Sequence, residues 1–144
     1  MPTDPAHEAY EMEVSIKPSD IDLMGHVNNI VYLHWVQDAA VAHWYALATE
    51  AQKNSLLWVV VKHEIEYKRP AYEGDEVIAR TWVGNATRRG FERYTDLLRK
   101  SDRKLLAKAR TLWSPVDIYT RKSVKVGPDV YERFSVKNNA DFDV

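Results

Sequence analysis

The chain has 144 residues, 45% of them hydrophobic, a formal net charge of −1 and no cysteine. That length suits one globular domain with a real core, the near-neutral charge gives no global pull toward nucleic acid or anionic membrane, and the missing cysteines exclude disulfides and thiolate chemistry. The opening MPTDPAHEAYEMEV lacks a basic segment followed by an apolar one, and no run approaches the roughly 18 apolar residues of a membrane span; a soluble, unprocessed, cytoplasmic chain is the expectation.

Taken in order, residues 1–11 with Pro2 and Pro5 read as a lead-in, and Glu13 to Lys17 alternates as a short strand that Pro18 ends. The next stretch, SDIDLMGHVNN at 19–29, is a polar loop. From Asn28 to about Glu50 there is no Pro or Gly, and apolar residues from Ile30 to Leu47 surround most of a helical circumference, which predicts a long, largely buried helix. Asn28 or Asn29 can cap its start. In LWVVVKHEIEY, Leu57, Val59, Val61, His63, Ile65 and Tyr67 fall on one face of a strand and Lys62, Glu64 and Glu66 on the other. Further strands are expected over about 76–85, 90–100 and 105–116, the last two paired across Ser101-Asp102-Arg103-Lys104. GPDVYERF at 127–134 predicts a short helix, and the last ten residues read as frayed.

One early buried helix followed by antiparallel strands is an α+β pattern in which a sheet must curl around the helix. Such a sheet has edges, and the helix has apolar surface left over, so pairing with a second copy is expected, with ligand sites between subunits.

SDIDLMGHVNNIVYLHW, VVVKHEIEYKRPAYEGDEV, the basic and aromatic RRGFERYTDLLRK and KLLAKARTLWSPVD resemble, in that order, the hotdog-fold acyl-CoA thioesterases related to 4-hydroxybenzoyl-CoA thioesterase. GHVNN also resembles the corresponding loop of plant acyl-ACP thioesterases. The resemblance implies a long central helix wrapped by a five- to six-stranded antiparallel sheet, one domain over 12–135 with a tail at 136–144, and an active site at the interface of a homodimer, with tetramers common. It implies no metal and no cofactor, coenzyme A being part of the substrate.

In the family's Asp-x-Asp-x-x-Gly pattern the second aspartate is catalytic, and that position here is Asp22, with Gly25 as the glycine. Carried over, Asp22 is either the nucleophile that forms an acyl-enzyme anhydride or the general base for water, and both routes stay open. The amides at the helix start around Asn29 lack intrahelical partners and can stabilise the oxyanion. His26 is placed to bond the thioester carbonyl or to orient water, Gly25 lets substrate approach, and Asn28 is a substrate-binding candidate beside it. The plant pattern has asparagine two residues after the aspartate; Met24 stands there, which favours acyl-CoA over the plant residue set.

Each residue has a plainer reading. Asp20 or Asp22 closes Asx turns in many loops, Asn28 and Asn29 suit capping, His63 suits a satisfied core, and Trp35 and Trp44 suit core, interface or acyl-pocket filling. Between Arg88 and Lys125 basic residues outnumber acidic ones, and Arg88, Arg89 and Arg121 are candidates for the CoA phosphates. The same stripe suits the acidic surface of an acyl carrier protein or, in another class, RNA. Acyl-CoA hydrolysis, without nucleic acid or membrane as partner, is the leading expectation. An acyl-ACP thioesterase and a non-catalytic acyl-CoA-binding dimer are the alternatives, and a hydratase fits less well because the required histidine and acidic partner on the helix are not apparent.

Overall fold

A computed structural model describes residues 9–87, 90–134 and 136. Strand β1 (Tyr10–Val14) and a single 3-10 turn (Pro18–Asp20) lead into helix α1 (Asn29–Leu47) and a short α2 (Glu50–Ser55). Then follow β2 (Leu56–Tyr67), β3 (Val77–Ala86), β4 (Phe91–Arg99), β5 (Leu105–Asp117) and α3 (Pro128–Arg133). The five strands form one sheet in the order β1-β3-β4-β5-β2, every pair antiparallel, with α1 packed against one of its faces. This is the hotdog arrangement.

The first strand starts at Tyr10 rather than Glu13 because its ladder runs from Tyr10 opposite Thr81 to Val14 opposite Val77, where β3 itself begins. Ser15 to Lys17 therefore have no partner strand. The long helix stops at Leu47, short of Glu50, because Thr49 and Gln52 form a reciprocal capping box that starts α2. The buried stripe of α1 is Tyr32, Trp35, Val36, Ala39, Ala40 and His43, whereas Ile30, Val41, Tyr45 and Leu47 are exposed. The helix thus buries one side, not most of its circumference.

The even alternation expected of β2 breaks. Its register with β5 slips between Val60 and Lys62, so Val61 is a bulge that reverses which parity faces α1. Before the bulge Trp58 points inward, against Trp44 (5.4 Å between ring centroids); after it Ile65 packs on the core. Val59 and Val61 are left exposed on an edge strand.

The core has two parts. One, around Tyr32, Trp35, Val36, Val77, Leu97 and Leu106, holds the first half of α1. The other, around Val83, Phe91, Val130 and Phe134 with Trp44 and Trp58 packed on it, lies at the opposite end of the helix.

Candidate active site

Residues 20–28 fold back on themselves as a small antiparallel ladder. The Asn28 N–H donates to the Asp20 carbonyl (2.8 Å), Ile21 and Val27 bridge, and the Asp22 N–H donates to the His26 carbonyl (2.7 Å). Gly25, at φ +81°, closes the tip with its N–H on the Asp22 carbonyl (3.1 Å), a conformation that costs a glycine little. Leu23 and Met24 project from that tip, fully exposed and 77% exposed.

The ladder turns Asp22 into a fixed carboxylate. Its Oδ1 accepts from the N–H groups of Met24 (2.9 Å) and His26 (3.1 Å), an Asx turn in form. Its Oδ2 has no partner among the described residues. One oxygen is thereby pinned while the other can attack a carbonyl or take a proton from water. His26 is half-buried and edge-on to Tyr72 (5.1 Å between centroids), and its imidazole has no hydrogen-bond partner among the described residues.

Asn28 is the helix cap, its Oδ1 accepting from the Ile30 N–H (3.1 Å) while its carbonyl takes the Val31 N–H (2.9 Å). The Asn29 N–H has no acceptor among the described residues, which leaves it as a donor at the positive end of the helix dipole. A second segment braces this assembly. Val27 donates to the Ala71 carbonyl (2.8 Å), Ala71 donates to the Tyr32 hydroxyl (2.9 Å), and the Tyr67 hydroxyl donates to the Asn29 carbonyl (3.1 Å). Burial pushes the Tyr32 and Tyr67 hydroxyls above the usual phenol range, so both stay protonated donors at neutral pH.

Of the three basic residues singled out for phosphates, Arg88 and Arg89 lie outside the described residues. Arg121 sits in the turn after β5, its N–H on the Asp117 carbonyl (2.8 Å). Tyr67, which reaches Asn29, pairs with Ala107 near the other end of that strand. At about 3.3 Å per residue, Arg121 is therefore roughly 30 Å from the start of α1 in the same chain. The loop brings Asp22, Gly25, His26 and Asn28 together at the doorstep of Asn29, and leaves Arg121 remote.

A second polar group lies in the other half of the sheet. Arg93, on β4, is buried and donates through Nη1 to His43 Nδ1 (2.9 Å) and to Thr81 Oγ1 (3.1 Å). Burial lowers its pKa to about 10, so it remains a cation at neutral pH. His43, buried on α1 between Tyr10 and Phe134, is held neutral: burial first and Arg93 second lower its pKa to about 3. As acceptor at Nδ1 it carries its hydrogen on Nε2. Arg93 also lines a cavity of about 240 Å³ walled by Trp44, Trp58, Phe91, Trp113 and Phe134, open beside Val41 and Tyr45, which are 49% and 59% exposed.

The sequence profile of the thioesterase-like superfamily matches residues 16–134. The chain belongs to the thioesterase-like superfamily. It is 24% identical over 122 residues to the chloroplastic palmitoyl-acyl carrier protein thioesterase of Gossypium hirsutum, covering 85% of this chain but 30% of that one. It therefore spans under a third of the length of that relative. Among solved structures it is similar to Slr0204, a 1,4-dihydroxy-2-naphthoyl-CoA thioesterase from Synechocystis (TM-score 0.73, 18% identity, 88% of this chain and 96% of that one). It is also similar to the 12:0-ACP thioesterase from Umbellularia californica (TM-score 0.75, 17% identity, 92% and 52%).

Trp44, one of the two tryptophans that the sequence offered for an acyl pocket, lines this cavity; the buried polar group in its wall was not anticipated. The sign was available in the strand: Phe91, Arg93, Thr95 and Leu97 alternate on the inward face, so an arginine stands at a core position. His43 likewise interrupts the apolar stripe of α1 one turn after Ala39. Among the described residues no cluster of three metal-ligating side chains occurs, and no helix is long and apolar enough to cross a membrane.

Proposed function

We propose that the chain hydrolyses an acyl-CoA thioester to the free acid and CoA, with Asp22 as the carboxylate that attacks or activates water. The observation that carries this is the state of Asp22: one carboxylate oxygen anchored by two backbone amides, the other without a partner among the described residues, in the loop that leads to the Asn29 N–H, likewise without an acceptor among them. In this reading the carbonyl carbon becomes tetrahedral, the negative charge that develops on its oxygen is stabilised by that N–H at the helix N-terminus, and collapse of the intermediate expels the CoA thiolate. Asp22 Oδ2 either bonds to the carbonyl carbon, giving an anhydride that water then opens, or takes the proton of an attacking water. His26, between Asp22 and Tyr72, orients water or the carbonyl.

CoA is preferred to a carrier protein as the leaving group because Met24 stands where the plant acyl-ACP pattern has asparagine.

The working unit in this proposal is at least a homodimer. The cavity flanks residues 40–45 of α1, and at 1.5 Å per residue that is roughly 20 Å from the helix start, beyond the reach of a compact acyl group held there. A second copy bringing its own loop to this cavity closes the gap, and the exposed edge of β2 offers the pairing surface. The test is thiol release from a panel of acyl-CoAs by wild type and Asp22→Asn. Turnover abolished by the substitution, with the circular dichroism spectrum unchanged, supports the reaction and its base; turnover that survives removes Asp22 from the mechanism.

A further inference from the structure

The cavity is lined mostly by aromatic and aliphatic carbon, yet residues of its walls carry more hydrogen-bond donors than the described residues satisfy. Arg93 is 7% exposed, and of its three guanidinium nitrogens only Nη1 has partners among the described residues, both of them neutral. No carboxylate among the described residues forms an ion pair with it. Glu92, its neighbour in sequence, points to the opposite face of the sheet and pairs with Arg110 (2.6 Å). Two further donors, Trp58 Nε1 and Trp113 Nε1, are buried without an acceptor among the described residues, and both residues line the same cavity. Buried donors and charges are costly unless paired, so a guanidinium with unpaired nitrogens in the cavity wall, beside two tryptophans of the same wall whose N–H groups lack acceptors, marks a place where a ligand supplies the acceptor.

We propose that this cavity binds a compact carboxylate with an apolar or aromatic body, the carboxylate accepting from Arg93 and the indole N–H groups and the body stacking among Trp44, Phe91 and Phe134. The size agrees: about 240 Å³ is the liquid volume of roughly eight waters, room for a ligand of about ten non-hydrogen atoms. The charge also selects. An aromatic box alone attracts organic cations, but a buried guanidinium in its wall repels them and pairs with a planar anion in a fork. This deepens the thioesterase reading and rests on it only for the origin of the carboxylate. That origin is either a second carboxylate on a dicarboxylic acyl group or the acid that hydrolysis releases.

Equilibrium binding tests the site without requiring turnover. Titration of the full chain with 3-phenylpropanoate, followed by tryptophan fluorescence, is compared with 3-phenylpropanamide, which has the same shape and no charge. The carboxylate is expected to bind about tenfold more tightly or better, as hydrogen bonds to charged groups do. Arg93→Met, close in volume and uncharged, is expected to abolish the difference, Arg93→Lys to retain part of it, and Trp113→Phe to weaken the carboxylate with less effect on the amide. Equal affinities for the two probes, a preference that survives Arg93→Met in folded protein, or tighter binding of phenylethyl-trimethylammonium each overturn the proposal. Once the preference is seen, the sources separate kinetically: faster hydrolysis of adipoyl-CoA than hexanoyl-CoA, lost in Arg93→Met, identifies the distal carboxylate. Equal hydrolysis with product inhibition lost in Arg93→Met identifies the released acid. Carboxylate preference without hydrolysis of any thioester leaves the cavity site standing and removes the thioesterase reading instead.

Discussion

Replacing Arg93 by methionine removes a charge from a place where the fold gains little by keeping it. Burial lowers the arginine's pKa from 12.5 to about 10, which corresponds to about 3 kcal/mol of folded-state penalty for the cation. The substitution relieves that penalty. Against it stand the acceptors left behind. Thr81 Oγ1 keeps Thr95 (3.0 Å) and the Tyr94 carbonyl (2.9 Å), but His43 Nδ1 loses its one partner among the described residues, a cost of about 1–3 kcal/mol for a buried polar atom. The balance is a change between nothing and a gain of about 2 kcal/mol, which for a chain of this size raises Tm by up to about 8 °C. Urea titration and a thermal scan at pH 7 check it. A loss of more than about 2 kcal/mol would refute the reasoning, because it would make Arg93 a strut of the core rather than a group retained for a ligand at the expense of stability.

His43 predicts the acid limb of the stability curve. Its pKa is about 3 folded and 6.5 as a free side chain, so between these values the unfolded chain binds more protons and stability falls as pH drops from 6.5 toward 3. The loss amounts to about 4 kcal/mol across the window, and His43→Gln, which keeps an acceptor for Arg93 but does not titrate, is expected to flatten it; an unchanged slope in denaturant titrations from pH 7 to 4 assigns the effect elsewhere. Asn28→Ala removes the acceptor of the Ile30 N–H and is expected to cost about 1 kcal/mol in urea, with a fall in kcat larger than the change in KM. An activity loss confined to KM argues against the helix end as the oxyanion donor. Lysine at both Val59 and Val61 places charge on the edge strand, and size-exclusion chromatography is expected to show monomer without thiol release; a dimer that persists puts the interface elsewhere.

Much of the fold was legible from local pattern. The Pro- and Gly-free run after Asn28, the cap itself, the turn at 101–104 and the terminal helix at Pro128 are each encoded within a few residues, where propensity and capping chemistry decide. The loop at 19–29 was likewise readable, since Asp22, Gly25 and Asn28 are fixed by hydrogen bonds that span eight residues or fewer. What exceeded the sequence was non-local. The bulge at Val61 exists because β2 and β5 hold different registers at their two ends, and only that slip turns Trp58 toward α1 while Val59 faces out. Arg93 and His43 lie 50 residues apart, and neither residue alone says that the other will be its partner, or that two indole N–H groups will be buried beside them. A sequence by itself sets which faces are apolar and where elements begin, because these depend on the residue and its near neighbours. Which donors end up buried without acceptors depends on how the sheet curls and which strand register it adopts, and that is decided only when the tertiary structure closes.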